Sequence, residues 1–292
     1  MLKESERIAG NAYMIGNIAI PIYLITGSRL CILIDAGMTI MGPVYINKIQ
    51  SCLEYGTVPL YLLLTHSHYD HLGSISYLKK RIPQLKVGGH HTVDNVLRSS
   101  RAVELITSLN RDGEKMMGIN DPEITFKPFS LDMPLKGGET YDTGEDVLEA
   151  IYTPGHTKDS MCYYLRNAKI MFTGEAAGVK TPTGDILPEF LTSYKSYFSS
   201  LEKLKQYPID YIAVGHGYVV EGEDARQYIS NSMHATHAFV ERIRNYYKES
   251  GNIDDVVTRI KNEDYVQSGT GQPERAYTIN LQAKVRAVVE DK

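Results

Sequence analysis

The segment Thr65-His66-Ser67-His68-Tyr69-Asp70-His71 sets three imidazoles and one carboxylate within six residues. It follows the apolar run Tyr61 to Leu64, which reads as a buried strand. In extended backbone, residues two apart point the same way, so His66 and His68 share a side. Asp70 and His71 continue into a tight turn. Four such groups crowd a single tetrahedral ion, but they can serve two ions about 3.5–4 Å apart. The pattern points to a two-metal site rather than to a polar surface loop.

Three further ligand-type residues also follow apolar strands. His156 comes after Ala150 to Thr153 through Pro154-Gly155. Glu175 comes after Ile170 to Phe172 through Thr173-Gly174, and His216 after Ile212 to Val214 through Gly215. Strands of one sheet that end at one rim bring distant residues together, and a glycine before the ligand lets the backbone turn sharply.

The hydrophobic pattern gives the elements that must position these groups. Residues 18–26 and 30–34 are β-rich, with a hairpin signal at Gly27-Ser28. Val44, Ile46, Ile49 and Leu53 predict a helix over 44–55, and further helices are expected over 73–80 and 93–118. Strands resume over 139–153, with a turn at Asp142-Thr143-Gly144, and a strand pair follows over 160–165 and 169–172. A helix over 196–205 and a strand over 211–214 lead to Gly215-His216-Gly217.

After Glu221 the pattern is helical. Ile229, Met233, Val240, Ile243 and Tyr247 line one side of 224–249, and two more helices are expected over 253–262 and 281–289. The reading is therefore a mixed α/β unit over 1–221 and a helical cap over 222–292. His90 and His91, after Gly88-Gly89, read as loop residues. His234 and His237 lie three apart on the long helix.

The bulk numbers narrow the classes. A net charge of −4 over 292 residues, without a Lys/Arg block, disfavours a nucleic-acid partner. No apolar run approaches the roughly 18 residues of a membrane span, and the first residues lack a signal-peptide core. A cytoplasmic location and a small-molecule partner are the expectation, and a homodimer is compatible with it. The three cysteines, Cys31, Cys52 and Cys162, are too scattered for a disulfide framework or a zinc ribbon and read as buried small hydrophobes.

Residues 65–71 match the HxHxDH signature, and the chain resembles the metallo-β-lactamase superfamily over roughly residues 12–220. Asp35-Ala36-Gly37 looks like that family's early strand-end element, Thr153-Pro154-Gly155-His156-Thr157 like its TPGHT, and Gly215-His216-Gly217 like its last ligand. The resemblance implies an αββα sandwich. It also implies that His66, His68 and His156 hold one metal, and Asp70, His71 and His216 a second. Glu175 stands where the family usually places a bridging Asp, one methylene shorter. Asp35 is expected to tie the ligand loop in place. Zinc and iron suit this donor set, and manganese is compatible with it.

Such a site implies a hydrolase that uses a metal-bound hydroxide, with Asp70 orienting it. No residue stands out as a dedicated general acid. A thiolate, whose parent thiol has a pKa near 8.5, leaves without protonation, so a thioester suits the site better than an amide. The layout resembles the glyoxalase II-like and quinolone-signal-response-protein-like thioesterases, which also add helices after the last ligand. The alternatives are a phosphodiesterase, an iron persulfide dioxygenase, and a non-catalytic signalling protein that retains the metals.

Overall fold

The computed structural model describes residues 5–52, 58–119, 121–265 and 273–290. The first part of the chain builds a seven-stranded sheet in chain order. Its strands are β1 (Ser5–Ala9), β2 (Ala12–Ile15), β3 (Ile22–Ile25), β4 (Cys31–Ile34), β5 (Leu60–Leu63), β6 (Lys86–His90) and β7 (Met133–Leu135). β1 to β4 run antiparallel through short turns. β4 to β7 run parallel, and parallel neighbours need crossovers. Helices supply them: α1 (Gly42–Cys52) before β5, α2 (Tyr69–Leu72) and α3 (Ile75–Arg81) before β6, and α4 (Val93–Arg98) and α5 (Ser100–Met116) before β7.

The second sheet contains β8 (Thr140–Asp142), β9 (Val147–Tyr152), β10 (Met161–Leu165) and β11 (Ile170–Gly174). A small separate pair, β12 (Val179–Lys180) with β13 (Ile186–Leu187), precedes α6 (Tyr194–Leu204). β14 (Tyr211–Val214) and β15 (Val220–Glu221) complete the sheet, in the order β15-β14-β11-β10-β9-β8. Three helices follow: α7 (Gly222–Ser250), α8 (Ile253–Asp264) and α9 (Glu274–Val289).

Alternation along the strands decides which layer each side chain enters. Tyr23, Ile25, Ile32 and Ile34 of the first sheet meet Leu148, Ala150, Met161, Tyr163 and Phe172 of the second. Ile22, Leu24 and Leu33 turn the other way, onto Tyr45 and Ile49 of α1, Leu78 of α3 and Ile106 of α5. Cys162, Tyr164, Met171 and Ile212 form the outer face of the second sheet. They share one buried cluster with Tyr197 and Leu201 of α6, Ile229 and Ile243 of α7, Ile260 of α8 and Val285 of α9. The layers are thus helix, sheet, sheet, helix, a mixed α/β sandwich with C-terminal helices. Each fully buried Leu, Ile or Phe contributes about 1.5–3 kcal/mol to holding them together. Among the described residues, no helix is long and apolar enough to cross a membrane.

The structure departs from the sequence pattern in several places; of the expected strand 18–26 only Ile22–Ile25 is strand, and the pattern does not predict β7, β12 or β13. Residues 93–118 are not one helix, because Ser99 is extended and its side chain caps α5 by accepting from the Ala102 N–H. His90 is not in a loop: it ends β6, is buried, and stacks on Tyr152 at 4.3 Å. Gly88 lies in that strand close to its neighbours, a Cβ there falling 2.8 Å from Leu63 Cδ2. The last helix begins at Glu274, ahead of the apolar stripe at 281–289. Cys31 and Cys162 are buried free thiols, while the side chain of Cys52 lies outside the described residues.

Candidate metal centre

Five strands end at one rim and each hands over to a residue of the site. β4 delivers Asp35, β5 delivers the segment 65–71, β9 His156, β11 Glu175 and β14 His216. Two of the glycines involved cannot be replaced. Gly155 has φ +136°, and a Cβ there would lie 2.3 Å from the Tyr197 backbone nitrogen. Gly174, at φ +50°, sits against Thr65, its Cβ position 2.7 Å from Oγ1.

All seven residues singled out in the sequence converge. Donor atoms of His66, His68, His156 and Glu175 form one group, and those of Asp70, His71 and His216 a second. Glu175 touches both. Its Oε2 lies 2.9 Å from His156 Nε2, 3.2 Å from His66 Nε2, 3.7 Å from His68 Nδ1 and 3.7 Å from His71 Nε2. Its Oε1 lies 3.8 Å from His216 Nε2, which in turn is 3.4 Å from Asp70 Oδ2.

The outward ring nitrogens have acceptors that fix the tautomers. His71 Nδ1 donates to Asp35 Oδ2 at 2.8 Å, His216 Nδ1 to the Ala19 carbonyl at 2.6 Å, and His156 Nδ1 to the Glu189 carbonyl. His66 Nδ1 is 3.0 Å from the Thr65 hydroxyl, which itself donates to Asp35 at 2.8 Å. Asp35 also accepts the Thr65 N–H at 2.7 Å, so it ties the ligand segment to β4. In a neutral ring, a proton on the outer nitrogen leaves a lone pair on the inner one. Those lone pairs face one another: His156 Nε2 is 3.2 Å from His66 Nε2 and 3.1 Å from His68 Nδ1. His71 Nε2 is buried and has no hydrogen-bond partner among the described residues. Lone pairs and carboxylates crowded inward, with hydrogen bonds supporting them from outside, are what a divalent cation requires.

The electrostatics carry the same strain. Burial, with His71 and His68 beside it, pushes the His66 pKa well below the ordinary histidine range. Burial acts in the same direction on His216, but the hydrogen bond to Asp70, the charges of Glu175 and Asp70 and the Ala19 carbonyl together outweigh it and take the pKa to about 10. Burial opposes ionisation of Glu175 too, yet the facing His156, His66 and His68 hold its carboxyl well below the usual range.

The centre opens on a cavity of about 990 Å³ whose wall includes Asp70, Glu175 and His216. Residues beyond Glu221 line it as well, among them Phe239 of α7 and Tyr277, Leu281 and Lys284 of α9. His234 and His237 are not in that wall. Two supports had little signature in the sequence. The Ala19 and Glu189 carbonyls act through the backbone, which any residue supplies. The one available sign was Lys284, a charge in the apolar stripe of α9, which reaches Glu189.

Residues 15–216 match the metallo-beta-lactamase superfamily model, and the chain belongs to that family. It is 31% identical over 162 residues to a probable metallo-hydrolase, YqgX, of Bacillus subtilis, covering 55% of this chain and 67% of that one. It is 25% identical over 224 residues to a metallo-beta-lactamase fold protein, ST1585, of Sulfurisphaera tokodaii, with 73% and 78% covered. The solved structure of that archaeal protein covers 94% of this chain and 93% of its own at a TM-score of 0.59 and 20% identity, a likeness of fold. An atrochrysone carboxyl ACP thioesterase of Aspergillus fumigatus is 26% identical over 200 residues, 68% of this chain and 37% of that protein. Family and donor clusters together make this a metallo-hydrolase fold that binds divalent metal.

Proposed function

We propose that the chain is a binuclear metal-dependent hydrolase acting on thioesters. The observation that carries the binuclear reading is Glu175, whose two carboxylate oxygens face the two donor groups at once. His66, His68 and His156 would hold one ion, and Asp70, His71 and His216 the other. Divalent ions bound there would lower the pKa of coordinated water and polarise the scissile carbonyl.

The chain's own residues do the rest. The acceptors behind His66, His71, His156 and His216 keep the rings oriented, so that little reorganisation is needed during reaction. Asp70 lines the cavity, and in this reading its carboxylate orients the attacking water. One water is consumed and the acyl C–S bond breaks. The products are a carboxylate, a thiol and one proton. The sulfur needs no acid to leave, since a thiol ionises near pH 8.5. That suits a site whose inward groups are lone pairs and carboxylates. The likeness to a relative named as a thioesterase supports the same reading, although this chain spans about a third of that protein. A cytoplasmic, small-molecule enzyme without a nucleic-acid partner fits the composition.

The test is metal analysis of the purified protein followed by turnover of acyl thioesters and bis-p-nitrophenyl phosphate. Two bound ions and selective thioester cleavage are expected. A fully loaded protein that cleaves only the phosphodiester, or consumes oxygen with a persulfide, would overturn the assignment.

A further inference from the structure

The cavity beside the metal centre is larger and more apolar than water activation requires. Its wall draws on separate parts of the fold: Ile20 and Met38 from the first sheet's loops, Leu109 from α5, Leu187 from β13, Phe239 from α7 and Leu281 from α9. A pocket of about 990 Å³ is at the upper end of what small-molecule sites enclose.

The cations in the wall are matched, and carboxylates outnumber them. Lys284 lies 2.6 Å from Glu189, Arg275 3.0 Å from Asp112 and Lys180 3.4 Å from Asp224. Each lysine or arginine of the wall therefore already faces a carboxylate, and an anionic tail on a ligand would have to compete for it. Away from the metal centre most of the wall is hydrocarbon, with Thr181, Thr183 and Asn280 among its polar residues.

We infer that this cavity is an acyl pocket, selecting neutral, apolar acyl groups of medium to long chain over short ones and over acyl groups that end in a carboxylate. The inference rests on the thioester reading and names the half of the substrate that confers selectivity. Burial of each added methylene multiplies the preference about fourfold until the pocket is filled.

Two arms test it. In the first, kcat/KM is measured for N-acetylcysteamine thioesters from acetyl to dodecanoyl, with ω-carboxylate partners of matched length. The expected result is a rise of about fourfold per methylene to a plateau, with the carboxylate partners at least tenfold poorer. Phe239→Ala lowers the slope, and Leu187→Trp, on a peripheral strand pair, shifts the plateau to shorter chains. In the second, calorimetry follows binding of the corresponding S-alkyl thioethers, which cannot be hydrolysed. Affinity that climbs with chain length supports the pocket even where no thioester turns over, a result that would count against the proposed reaction alone. Rates and affinities that are flat or falling with chain length, or equal for carboxylate-ended and neutral ligands, overturn the inference.

Discussion

Lys284 Nζ, on the last helix, lies 2.6 Å from Glu189 Oε1, and the backbone carbonyl of Glu189 takes the Nδ1 proton of His156. Both side chains are about nine-tenths buried. A buried pair is no strong source of stability, but removing one partner strands the other charge at a cost of about 3–5 kcal/mol. Lys284→Met is therefore expected to lose several kcal/mol in urea unfolding, and Lys284→Met with Glu189→Met to recover most of it. A single variant as stable as the parent would show that the pair does not hold α9 to the His156 loop.

The metal assignment makes separable predictions. His66→Ala, His68→Ala or His156→Ala should each deplete the first ion and abolish hydrolysis, because each removes one of only three imidazoles in that group. Asp70→Asn keeps the shape and loses the charge. It should reduce kcat and second-site metal while the first ion stays bound. Metal stoichiometry beside kcat checks both, and an unchanged kcat in Asp70→Asn would remove Asp70 from the reaction.

What the sequence made legible follows from where information is local. His66, His68, Asp70 and His71 sit in one short segment after an apolar strand, so their convergence needs almost no tertiary knowledge. His156, Glu175 and His216 were visible because each repeats the strand, glycine, ligand order. The strand β6 was hidden, because Gly88, which lies close to Leu63, reads locally as a turn. The break at Ser99 falls in the polar run Arg98-Ser99-Ser100-Arg101, which the solvent face of one continuous helix could also carry. The carbonyls behind His156 and His216 come from residues 33 and 197 positions away, and no side-chain pattern reports a backbone oxygen.

Asp35 holds Thr65 and His71 without belonging to either donor group. Its φ of +65° is one that Asn accepts easily, so Asp35→Asn tests the charge with little backbone cost. Loss of such support typically lowers metal affinity about 10–100-fold. Competition with a chelator should show a loss of this size, concentrated in the ion held by His71. Unaltered affinity would assign Asp35 to folding alone.

The thiols give a prediction that depends on pH. Burial raises the pKa of Cys162 to about 12, against a weak opposing hydrogen bond from Thr153, and burial raises Cys31 as well. The reactive species is the thiolate, so at pH 8 Cys162 is held almost wholly as the unreactive thiol in the folded chain. Both residues should resist a disulfide reagent under native conditions and react promptly in denaturant. The same shift sets a sign for stability. Below about pH 8.5 the thiol is protonated in both folded and unfolded chains and contributes no pH dependence. Above it the unfolded chain releases the proton while the folded one keeps it, so stability falls as pH rises from about 8.5 toward 12. Cys162→Ala should flatten that part of the stability profile. Rapid native labelling of Cys162 at pH 8, read by mass spectrometry, would mean that the sheet face against α6 opens far more often than its packing implies.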